Sequence, residues 1–77
     1  MSEKEGTLQM QASGRWAVCR PGQEPVEINA GDVFRIEVPS KGGLHLTRMG
    51  YLPGEGYYSV KGYSLHDGLR AAIGETD

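Results

Sequence analysis

The chain has one cysteine, Cys19, among 77 residues, so no internal disulfide can staple it, which suits a reducing compartment. No apolar run approaches the roughly 18 residues that span a membrane. The opening Met1-Ser2-Glu3-Lys4-Glu5 lacks the charged-then-apolar order of a signal peptide. These absences lead us to expect a cytoplasmic protein with no membrane partner. Metal-ligand spacing is missing as well: Cys19, His45, His66 and Asp67 are the only soft or borderline donors, and no two show Cys-x-x-Cys or His-x-x-x-His spacing. No metal is expected. The carboxylates Glu24, Glu27, Asp32, Glu37, Glu55 and Asp67 are scattered, with no pair whose spacing demands a shared site. A nucleophilic cysteine would need an activating base and an electropositive pocket, whereas Cys19 sits on a strand, where a semi-buried thiol is far commoner, and no glycine-rich stretch opens a helix as a phosphate cradle would. The chain is therefore expected to be no enzyme and to hold no cofactor. Charge of one sign is also scarce. Eight basic and ten acidic side chains leave a net charge of −2, so binding of nucleic acid or anionic lipid would need a local basic patch.

Glycine, by contrast, is plentiful: twelve glycines and four prolines mark frequent reversals between short strands. Hydrophobic content of 38% with 23% charged residues fits a globular chain, and its length allows one small domain. The clearest strand lies in Gly31-Asp32-Val33-Phe34-Arg35-Ile36-Glu37-Val38, where Phe34, Ile36 and Val38 alternate with Arg35 and Glu37. Before it, residues 7–11 place Leu8 and Met10 inward and residues 15–20 place Trp16 and Val18 inward. Ala12-Ser13-Gly14 joins these two as a hairpin connection. Pro21-Gly22 suits a type II turn, and residues 26–29 alternate briefly. After it, residues 44–49 read as a strand with Leu44 and Leu46 inward and His45 and Thr47 outward, Met49 following them by alternation. Residues 50–56 read as a loop, and residues 57–60 as a short strand with Tyr58 and Val60 inward.

The C-terminal stretch admits two readings. Ser64 could cap a helix with Asp67 three residues on, and Leu65, Leu69 and Ile73 follow at helical spacing. Gly68 in its middle opposes that helix by about 1 kcal/mol relative to alanine. The expectation is one helical turn near residues 64–68 and a closing strand at 69–73. Together these elements predict a mainly β, small antiparallel barrel of five to six short strands. It would form a single domain over residues 7–74, with a disordered N-terminal end at 1–6 and a C-terminal tail at 75–77.

Taken in order, Gly14-Arg15-Trp16-Ala17-Val18, Ile28-Asn29-Ala30-Gly31-Asp32-Val33-Phe34-Arg35-Ile36, Thr47-Arg48-Met49, Gly56-Tyr57-Tyr58 and Gly68-Leu69-Arg70-Ala71 resemble the bacterial family of unknown function called DUF5348. The resemblance covers residues 6–74. It implies a compact SH3-like β-barrel and a bacterial or mobile-element setting, and it brings no reaction and no catalytic residue.

What remains for function is a set of aromatic and basic side chains. Trp16 and Tyr58 are expected in the core, and Tyr63 with the other tyrosines either covers barrel ends or joins a binding surface. Small barrels bind through loops at one edge, where exposed tyrosine and arginine are the residue types that interface centres favour. Tyr51 in its loop, an outward Tyr57, Tyr63, and Arg35 and Arg48 on outward strand faces are the candidate binding residues. The first reading is a non-enzymatic module that binds another protein. The alternative is a nucleic-acid-binding accessory protein, with bases stacked on aromatic faces and phosphates held by the arginines.

Overall fold

A computed structural model of the chain describes residues 3–74. It contains β1 (Glu3–Met10), β2 (Trp16–Cys19), β3 (Val26–Glu27), β4 (Val33–Glu37), β5 (Leu44–Leu52), β6 (Gly56–Ser59) and β7 (Arg70–Gly74). All pairings are antiparallel, in the order β3-β2-β1-β7-β4-β5-β6, and the sheet curls into a half-barrel. Its inner face buries Leu8, Val18, Ile28, Phe34, Ile36, Met49, Leu69, Ala71 and Ile73. The alternation of β4 is as the sequence predicts: Phe34 and Ile36 face in while Val33 and Arg35 face out.

The strand count exceeds the five to six expected. Residues 3–6, expected to fray, form the first half of β1 and pair with β7. Met1, Ser2 and the expected tail at 75–77 lie outside the described residues. No helical turn forms near residues 64–68, and no helix is present among the described residues. Asp67 does not cap a helix: its carboxylate accepts the backbone N–H of Met10 at 2.9 Å. Gly68 has φ of 92°, in the left-handed region that a helix interior excludes. Leu8 N then donates to Leu69 O and Gly68 N to Leu8 O, which feeds the chain into β7 between β1 and β4.

β5 and β6 face the opposite way from the expectation. Leu46, Tyr58 and Val60, all expected inside, are 48%, 41% and 54% exposed, whereas Thr47 and Ser59 are each 3% exposed. The cause is register. Thr47 stands directly opposite Phe34, and residues opposite each other share a face, so a buried Phe34 carries Thr47 and then Met49 inward. Thr47 and Ser59 satisfy one another through a buried hydroxyl–hydroxyl hydrogen bond of 2.7 Å. On the other face Gly50 lies opposite Tyr58, whose ring occupies the space that a Cβ on Gly50 would need. Met10, also expected inside, is exposed at the end of β1 opposite a half-buried Trp16.

Two stability outcomes follow from this register. Phe34→Ala should cost about 3–5 kcal/mol, while Leu46→Ala on the outer face should cost about 0.5 kcal/mol or less; urea melts of the two variants check the contrast. Thr47→Val should cost about 1–3 kcal/mol by stranding the Ser59 hydroxyl. Adding Ser59→Ala should recover part of that loss in a double-mutant cycle.

Candidate functional site

The five residues singled out by sequence fall at three separate places. Arg35 and Arg48 lie on the outer face of β4 and β5. There Val33 is opposite Arg48 and Arg35 is opposite Leu46, and Val60 N donates to Arg48 O at 2.9 Å. Val33, Arg48 and Val60 thus form one row across the sheet, with the two valines ~10 Å apart at ordinary strand spacing. Leu46 stands beside that row. These residues, with Thr47 and Lys61, line a shallow groove of about 240 Å³. Arg35 is not available to a ligand in the same way, because its Nε donates to Glu3 at 2.8 Å across β7. Arg70 on the same side is held likewise by Glu5 at 2.8 Å, a contact that raises its pKa above the usual arginine value. Arg48 and Lys61 make no ion pair among the described residues.

Tyr51 and Tyr57 sit elsewhere, at the rim of the half-barrel. The expected loop at 50–56 is in fact the end of β5, a turn at Pro53-Gly54-Glu55 and the start of β6, closed by Glu55 N donating to Leu52 O. Tyr51 is therefore a strand residue. Its ring meets that of Tyr57 at 4.8 Å between centroids, tilted by 54°. Tyr57, expected to point away, packs against the core because β6 faces the opposite way from the expectation. Arg15 Nε donates to the Tyr57 hydroxyl at 3.3 Å, and its Nη1 pairs with Glu27 at 3.5 Å. Arg15 thereby ties the tip of the β1–β2 hairpin to both sheet edges. Its pKa is raised, first by the hydrogen bond to Tyr57 and also by the nearby carboxylate of Glu27.

Tyr63 occupies a third place. It is half-buried against the core, with Lys41 Nζ 5.4 Å from its ring centroid and the His45 ring at 6.3 Å. Chemistry-bearing groups do not converge at any of the three. Among the described residues no cluster of three His, Cys, Asp or Glu could hold a metal, and the one polar side chain bonded to Cys19 Sγ is that of Gln11, at 3.7 Å. No described helix is long and apolar enough to cross a membrane. Comparison of the chain with protein-family models, curated proteins and solved structures finds no match.

Sequence reasoning missed Leu46 and Val60 as surface residues, since each looks like core when its strand is read alone. The signal that would have found them is the pairing of Phe34 with Thr47. For the rim tyrosines the geometry predicts an asymmetry. Tyr57→Ala, which empties a core-facing position, should cost about 2–4 kcal/mol, and Tyr51→Ala about 1 kcal/mol or less. Thermal melts of the two variants check it.

Proposed function

We propose that the protein is a non-enzymatic binding module with an SH3-like barrel whose ligand is another protein, docked on the outer face of β4, β5 and β6. One observation carries this reading: Val33, Leu46 and Val60 are 43–54% exposed around an arginine that no acidic side chain holds among the described residues. Three half-exposed aliphatic side chains leave apolar area that only a partner would bury, and a contiguous apolar patch with a central arginine has the composition of an interface centre. A cytoplasmic setting belongs to the same reading and is supported by the lone cysteine. The nucleic-acid alternative is weaker, because Arg35 and Arg70, which could contact phosphates from this side, are already neutralised by Glu3 and Glu5.

The test is site-specific photo-crosslinking in cells. A photoreactive residue at position 46 should trap a protein, and the same residue at Gln23, in the exposed loop after β2, should not. Arg48→Glu should abolish the adduct while changing stability by about 0.5 kcal/mol or less. Trapping of nucleic acid, or equal trapping at both positions, would refute the proposal.

A further inference from the structure

We infer that the partner segment taken by this face is acidic, with one carboxylate seated on Arg48 between two aliphatic side chains that cover Val33 and Val60. The inference rests on the outer-face reading above and goes on to name the chemistry of the occupant. Of the three arginines on this side of the sheet, Arg35 and Arg70 each have a glutamate at 2.8 Å, and Arg48 has none among the described residues. Its guanidinium offers a planar fork of donors that matches a carboxylate in two-pronged geometry. Lys61 adds a second positive charge on the same groove, so both charged side chains that line it are cationic although the whole chain carries −2. The remaining lining is almost wholly aliphatic. An occupant that covers it excludes water, and a charge pair formed there is stronger than one in open solvent. A basic segment would be repelled by both cations, and a purely apolar one would bury the Arg48 charge without a partner.

Three blocked peptides separate the claims, each with a single residue between two leucines: glutamate, glutamine or lysine. Amide shifts of the 15N-labelled full chain at Val33, Leu46 and Val60 report the contact. The glutamate peptide should bind about tenfold more tightly than the glutamine peptide, as a charge-assisted bond implies. The lysine peptide should bind weakest. Added salt should narrow the glutamate advantage in the unmodified chain, and Arg48→Glu, checked for folding by its amide spectrum, should invert the order in favour of lysine. Equal binding of the glutamate and glutamine peptides would overturn the acidic preference and leave the docking face standing. If no peptide moves these amides at millimolar concentration, the docking face itself falls, and the inference with it.

Discussion

A hydrogen bond of 2.7 Å between two buried hydroxyls, Thr47 and Ser59, decides what the outer surface of this protein offers. Either hydroxyl left alone in the core would cost about 1–3 kcal/mol, so the two stay inside together or not at all. A slip of one residue would turn both outward and bring Leu46 and Val60 in. That alternative has more apolar residues facing the interior, yet it would also turn Met49 out and break the match of Thr47 with Phe34. The interior is thus completed by a satisfied polar pair. The aliphatic side chains thereby displaced are the ones that make the candidate docking face.

The middle of the sheet imposes a second constraint. β7, from the C-terminal end of the described chain, lies between β1 and β4, and its outward residues Ala72 and Gly74 are small. Glu3 of β1 can therefore reach across β7 to Arg35 of β4, and Glu5 reaches back to Arg70, which leaves Ala72 buried beneath them. Exposed ion pairs of this kind contribute about 0–1 kcal/mol, so their larger consequence is to neutralise two arginines, while Arg48 on the same face has no acidic partner among the described residues. Closure has a similar requirement on the inner side. A Cβ on Gly6 would collide with the Cys19 carbonyl, so this curl demands the absence of a side chain there.

Much of this was legible in the residues, and the failures have physical causes. β4 and the β1–β2 hairpin were readable because alternation and turn chemistry agreed. β5 was not, because Leu44-His45-Leu46-Thr47-Arg48-Met49 has apolar residues on both parities, and only pairing with β4 breaks the tie. The helical turn was misread because Leu65, Leu69 and Ile73 fit helical spacing, whereas Asp67 and Gly68 serve a turn that delivers β7. Among the candidate binding residues, Arg35 and Arg48 face outward as read. Tyr57 does not, since an error of parity in β6 reverses every side chain in it.

The orientation of β5 is the claim on which the outer face depends, and thiol accessibility tests it directly. With Cys19 replaced by serine, single cysteines at Leu46 and Thr47 would be labelled with a thiol reagent under native conditions. Rapid labelling at position 46, like that of an unfolded control, and strong protection at position 47 are expected. Protection at position 46 with rapid labelling at position 47 would mean that Leu46 belongs to the core and that the apolar face around Arg48 does not exist.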